Sequence, residues 1–182
     1  MLTALRSRLL AIDACALCDG SGKLARVIST VRPLKHGYKM AGIARTVRIN
    51  GDFLGVLQAI RDASAAGLVI DGNCRDSPAL RSSLSIPIFS RGFHPNAGMA
   101  TQPGEHQVGI QMAGVSVRPG DIVVGDDDGV VVAAPEELEE WLPRAEAIVE
   151  RESDIFRAVQ RGEPLLEQYP ISDLATKMSP AP

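Results

Sequence analysis

The chain has few aromatic residues and no long apolar run. Aromatics make up 4% of its 182 residues, too few for the stacking platforms that single-stranded nucleic acid binders use. Acids and bases nearly balance, 22 against 19, for a net charge of −3. No dominant basic surface is therefore expected to neutralise phosphates, and no nucleic-acid partner is expected. No apolar stretch approaches the roughly 20 residues that cross a bilayer, so no membrane partner is expected. Cysteine is scarce: Cys15, Cys18 and Cys74 are the only three. An odd count without an evident cleavable signal suits free thiols and a cytoplasmic location. What remains is an ordinary globular composition, 45% hydrophobic and 23% charged, of a length that suits one domain with its own core.

Three short patterns look chemical and fail on their spacing. Cys15-Ala-Leu-Cys18 is a C-x-x-C, but a zinc site would need a second ligand pair. A redox pair belongs at a helix start after a strand; this one falls inside the first helical stretch and reads as small buried residues. Gly20-Ser-Gly-Lys23 hints at a phosphate loop, yet Leu17 stands where that loop needs Gly and Leu24 where it needs Ser or Thr. Met1 to Leu10 carries Arg6 and Arg8 and no acid before Asp13, as a transit peptide would. Leu2, Leu5, Leu9 and Ile12 nevertheless share one helical face, and a first amphipathic helix is the stronger reading. His36, His94 and His106 show no metal-ligand spacing and read as loop residues.

Periodicity predicts alternating helices and strands. Residues 3–18 read as helix, 41–49 as strand, 53–65 as a helix with Asp52 as its N-cap, and 68–70 as a short buried strand. Residues 78–83 read as a short helix and 86–89 as a strand whose Pro87 marks an edge or a start. Residues 107–113, 115–117, 121–124 and 129–133 read as a β-rich part. Residues 135–161 form a long amphipathic helix through Leu138, Leu142, Ala145, Ile148 and Val149. The expected organisation is a single domain over 1–162, followed by a Pro-rich tail over 163–182.

Two segments carry the functional signal. In Gly67-Leu-Val-Ile-Asp-Gly-Asn-Cys-Arg-Asp76 an apolar strand meets the turn pair Asp71-Gly72, and Arg75 and Asp76 follow side by side. Loops at the ends of buried strands concentrate chemistry in α/β proteins. A cation beside a carboxylate there suits an anionic substrate and a divalent metal; an Arg–Asp pair capping the next helix accounts for the pattern equally well. The second segment runs Val117-Arg118-Pro119-Gly120-Asp121, then an apolar strand, then Asp126-Asp127-Asp128-Gly129-Val130. Its three acids have the look of a metal cluster, but a turn between two apolar strands explains them better.

Together these segments resemble the RraA-like family, which includes class II 4-hydroxy-4-methyl-2-oxoglutarate aldolases and a regulator of ribonuclease E. The resemblance runs from about Ile12 to Gly162. It implies a single α/β domain with the three-layer β/β/α swivelling-domain fold, assembled as a homotrimer or a hexamer with its site between subunits. It also implies Mg²⁺ or Mn²⁺ held by Asp76, and Arg75 acting on a small 2-oxo acid. The implied reactions are aldol cleavage and oxaloacetate decarboxylation through a pyruvate enolate. A glutamate of the C-terminal helix, Glu152 by position, would reach a neighbouring subunit's site. The alternative is a non-catalytic relative that binds a ribonuclease or another protein. A methyltransferase label also attached to the family finds no Gly-rich nucleotide fingerprint here.

The chain departs from the family in one place. About thirty residues that the resemblance leads one to expect before Gly67, a strand, a Gly-rich turn and a helix, are missing. The family's acidic, substrate-binding helix start lies twenty residues ahead of the Arg–Asp pair. Here that slot holds Leu54, and Asp52, the nearest candidate for substrate binding, misses it by two. Loss of an interior strand would leave backbone and apolar surface uncovered.

Overall fold

A computed structural model of the protein describes residues 2–49, 54–62, 67–74, 78, 81–82, 86–96, 98–99 and 101–169. In chain order its strands are β1 (Arg26–Ile28), β2 (Arg32–Pro33), β3 (Met40–Ile43), β4 (Val47–Arg48), β5 (Leu68–Cys74) and β6 (Ile88–Phe93). Then follow β7 (Glu105–His106), β8 (Ile110–Met112), β9 (Val115–Val117), β10 (Ile122–Asp126) and β11 (Gly129–Ala133). The helices are α1 (Leu2–Ala11), α2 (Ala14–Gly20), α3 (Leu54–Asp62) and a C-terminal helix, Pro135–Gln160.

The strand that organises the molecule is β11. All five of its residues are buried, which a strand achieves only when both faces are covered. It pairs antiparallel with β1 and β10, in the sheet order β1-β11-β10-β3. Val131 and Ala133 face a helical layer that brings Leu9, Leu17, Leu138, Trp141 and Leu142. Val130 and Val132 face the other way, against Phe89 of the second sheet. That sheet has the order β2-β6-β5. The result is the expected three-layer β/β/α arrangement. Its apolar period follows from these layers: odd residues of β11 meet helices, even ones meet strands.

The predicted helix 3–18 is two helices. Asp13 interrupts it in an extended conformation, φ −105 and ψ 168, and its carboxylate accepts the Ala16 amide at 2.6 Å. An aspartate offers the backbone this alternative to continuing a helix, and so starts a new one. Gly20 then lets α2 cross the C-terminal helix closely. A Cβ there would lie 2.8 Å from the Ala145 nitrogen and 2.9 Å from the Trp141 oxygen. Gly20 is a packing residue.

The predicted strand 41–49 splits into β3 and β4. Ala44, between them, donates to the Asp121 carbonyl and accepts from Gly120, and Thr46 turns to bond Gln107 and Val108. The predicted strand 68–70 continues to Cys74, so Asp71-Gly72 is not a turn. It is a bulge, marked by a shift of register against β6 between Ile70 and Asn73. Leu68, Val69 and Ile70 are only half-buried. Among the described residues β5 pairs on one side alone, with β6, and a strand at a sheet edge lacks the second cover. Asp126 pairs with Gly129 across a hairpin, as expected. His106 lies in β7 rather than in a loop. Beyond Gly162, a 3-10 turn at Leu165–Gln168 folds back onto the C-terminal helix, and Gln168 donates to Glu163.

Candidate active site at the carboxyl end of β5

Strands β5 and β6 run parallel, with Leu68 opposite Ile88 and Cys74 opposite Phe93. Their carboxyl ends therefore open on the same edge, the place where open α/β sheets bind ligands. Arg75 and Asp76 follow β5 directly in the chain. They lie outside the described residues, as does Asp52. The structure defines the frame on either side of the pair.

Asp71 fastens the strand end. One carboxylate oxygen forms an ion pair with Arg91 of β6. The other accepts the amide of Ala113 at 2.8 Å. Ala113 has φ +52 and sits at the tip of the β8–β9 hairpin. One carboxylate thus joins two strands and a hairpin, and both of its oxygens are engaged. Beside it, a Cβ on Gly92 would lie 3.2 Å from the Asn73 Oδ1, so the bare glycine leaves room for Asn73. On the far side of the pair, Pro78, Arg81 and Ser82 are helical, within the short helix expected there. Arg81 donates through Nε to the Leu34 carbonyl at 2.8 Å, and its guanidinium carbon lies 4.9 Å from the Phe93 ring centroid. Sequence reading did not find Arg91, Ala113 or Arg81. Arg91 had a faint signal, a charge ending an apolar strand as Arg75 and Asp76 do; Ala113 had none.

Glu152 is exposed on the C-terminal helix, in the helical layer. Strand β5 belongs to the opposite outer layer, packed on the second sheet's side of the core. Within one chain the fold does not bring Glu152 to β5.

The other candidates are structural. Asp126 is buried and accepts the Ala14 amide at 2.8 Å and the Asp128 amide at 3.0 Å. Asp127 accepts the Gly37 amide at 3.0 Å and faces His36 Nδ1 at 2.7 Å. Among the described residues no group of three His, Cys, Asp or Glu is placed to hold a metal. Asp121, also buried, accepts the Arg118 amide at 2.9 Å and pairs with Arg26 at 2.8 Å. Val117-Arg118-Pro119-Gly120-Asp121 is therefore a turn closed by its own aspartate. Cys15 is exposed, not buried as expected, and its thiol donates to Asp128 at 3.5 Å. Partial desolvation, then the Asp128, Asp13 and Asp126 carboxylates, push that thiol up to about 11. A reactive redox thiol needs the opposite shift.

Three layers with a candidate site at the ends of parallel strands define a class of α/β domain; comparison with known proteins gives its family. A family model described as RraA-like, Aldolase/RraA, matches residues 56–132. The chain is 33% identical over 165 residues to a Halalkalibacterium halodurans protein provisionally named 4-hydroxy-4-methyl-2-oxoglutarate aldolase, covering 74% of this chain and 78% of that one. The chain belongs to the RraA-like family. About 135 of its 182 residues face those 165 aligned positions, so about thirty positions have no counterpart here. That matches the shortfall read from the sequence. A Methanocaldococcus jannaschii protein of no assigned role is 43% identical over 99 residues, 54% of this chain, and the match spans about half of that relative, 47%. The crystal structure of Streptomyces coelicolor RraAS2, titled an unusual member of the RNase ES inhibitor RraA family, superposes with TM-score 0.65 at 23% identity over 85% of this chain and 95% of that one. No helix among the described residues is long and apolar enough to cross a membrane.

Proposed function

We propose that the protein is a divalent-metal-dependent lyase acting on small 2-oxo acids, with Arg75 and Asp76 at its centre. The observation that supports it is the end of β5: Asp71-Gly72-Asn73-Cys74, fastened by Arg91 and Ala113, leads directly into Arg75-Asp76. Asp71 spends both oxygens on that fastening, which leaves Asp76 as the carboxylate for a metal. A single hard oxygen ligand suits Mg²⁺ or Mn²⁺, since Mg²⁺ keeps several waters and takes the rest of its shell from a chelating substrate. Bound there, the metal supplies Lewis-acid polarisation of the substrate's keto group. Arg75, always charged and planar, binds the carboxylate and stabilises the enolate charge as the C–C bond breaks. Asp52, two residues ahead of α3 in the chain, is the substrate-binding candidate. Glu152 serves a neighbouring copy of the chain, in a homotrimer or hexamer, because its own copy's β5 lies in the opposite layer.

The test is pyruvate release from oxaloacetate, with and without EDTA and against a metal-only blank. Weak, EDTA-sensitive decarboxylation is expected, with aldol cleavage more impaired. Cleavage needs a positioned base, worth about 10²–10⁴-fold, and the missing helix start would have carried part of that arrangement. Asp76→Ala abolishes metal-dependent turnover; Arg75→Ala slows it and leaves metal binding. Light scattering at micromolar concentration should give a multiple of the 19.4 kDa chain mass.

The thirty-position shortfall favours a second reading, a non-catalytic regulator that binds a protein such as a ribonuclease. Turnover indifferent to EDTA and unchanged in Asp76→Ala would reject the enzyme. Titration of a labelled chain with purified ribonuclease E would then test the regulator.

A further inference from the structure

The last turns of the C-terminal helix and the 3-10 turn that follows enclose an open cavity of about 380 Å³, a size suited to small organic molecules. Arg151, Arg157 and Arg161 line it, with Asp154, Glu163 and Gln168. Ile155 and Ala158, both buried, supply its apolar floor. We propose that this cavity binds a small organic monocarboxylate, its charge taken by Arg151 and its apolar body lying on Ile155 and Ala158. The inference is independent of the metal-dependent reading above.

The walls are built by the chain's own turns. Steps of three and four residues carry Arg151, Asp154, Ala158 and Arg161 along one helical face, while Glu152 and Phe156 fall on another. Gly162, with φ +88, turns the chain back at the helix end, and Glu163 donates its amide to the Ala158 carbonyl at 3.1 Å. A left-handed glycine ends many helices in this way. Here it brings Glu163 beside Arg161, whose Nε donates to Oε1 at 3.0 Å. The other oxygen of Glu163 accepts from Gln168 Nε2 at 3.3 Å. One carboxylate thus ties the helix to the 3-10 turn and fixes one wall of the cavity.

Charge decides what the cavity takes. Asp154 pairs with Arg157, and Glu163 with Arg161. Arg151 is exposed and, among the described residues, meets no carboxylate or other acceptor. Three guanidinium groups against two carboxylates leave one positive charge. One carboxylate matches it; two would overshoot. The negative pole of the helix is blunted, because Arg157, Ala158 and Val159 already accept from the amides of Arg161, Gly162 and Glu163. The planar fork of an arginine receives both oxygens of a carboxylate. Burial on the floor then favours a carboxylate with an alkyl body over a bare one.

The test is NMR titration of the isotope-labelled full chain with hexanoate, acetate, hexanol and hexylamine, following the Gln168 side-chain amide and the arginine Nε signals. EDTA is present throughout, so that no metal at Asp76 contributes. Hexanoate should give saturable shifts with a Kd of about 1–10 mM, as suits a ligand of its size. Acetate should bind about fivefold or more weakly, and hexanol and hexylamine should not saturate. Arg151→Gln should weaken hexanoate binding about tenfold, with a melting temperature within about 2 °C of native, as exposed substitutions give. Arg144→Gln, on the same helix outside the cavity, and Asp76→Ala should bind hexanoate as the native chain does. Absence of a saturable shift up to about 100 mM hexanoate overturns the inference. So does hexanol binding as tightly as hexanoate, or Arg151→Gln binding hexanoate as well as the native chain.

Discussion

The buried carboxylate of Asp126 accepts the backbone amide of Ala14 at 2.8 Å, joining the last hairpin to the second helix across most of the chain. Asp127 reaches Gly37 and His36, and Asp128 reaches Cys15, the residue after Ala14 in the same helix. Three consecutive acids that resemble a metal cluster thus serve two segments, the start of α2 and the loop at His36–Gly37. Each charge is answered locally by amides or side chains that the fold delivers.

Asp126→Ala should lower the unfolding free energy by about 1–3 kcal/mol, because it leaves the Ala14 and Asp128 amides without their acceptor. Urea titration measures it. The loss should be the same with and without added Mn²⁺; a loss confined to the metal-loaded protein would mark Asp126 as a ligand after all.

Asp121→Ala removes the acceptor that closes the Arg118–Asp121 turn and the partner of Arg26. Charge-assisted bonds of this kind are worth about 1.5–3 kcal/mol, and a loss of that size is expected in denaturant. Metal affinity should stay at the native value under conditions where the variant is fully folded, since this motif serves the fold and not the site.

Gly20→Ala forces a methyl into the space between α2 and the Ala145 backbone, where both near neighbours are main-chain atoms. Backbone cannot swing aside as a side-chain tip can. The helices must separate, at a cost of about 1–3 kcal/mol. Thermal melting of the variant tests it, and Gly20→Val should be worse than Gly20→Ala.

Cys15 should alkylate slowly. With its thiol up at about 11 rather than the ordinary 9.0, roughly a hundredfold fewer thiolates exist at neutral pH than for a free cysteine. Peptide-resolved labelling with iodoacetamide should show the Cys15 rate still rising as pH passes 9 and levelling only near 11. The linkage has the same sign. The folded value lies above the unfolded one, so this group's contribution to stability is full below about 9 and is lost as pH rises through about 11. A labelling rate that levels near pH 8 would contradict the shift.

The layers of the fold were legible in residues whose neighbours scarcely matter. Val130-Val131-Val132 is too apolar for a half-exposed strand and had to be covered on both faces. The spacing of Leu138, Leu142 and Ala145 fixed which side of the long helix meets the core. The Asp126–Gly129 turn follows from the same local chemistry, whereas the pattern at Arg75 and Asp76 was legible only as a resemblance to a family. Periodicity, however, carries no information about groups that meet from distant segments. It could not split residues 3–18 at Asp13, because capping competes with helix continuation through a single side-chain bond. It read Asp71-Gly72 as a turn, because a bulge is defined by register against β6 and not by its own residues. It missed the ties of Asp71 to Arg91 and Ala113, and the contact of Arg81 with Phe93. Those relationships exist only once the chain is folded, when strand pairing and layer packing decide which charges meet.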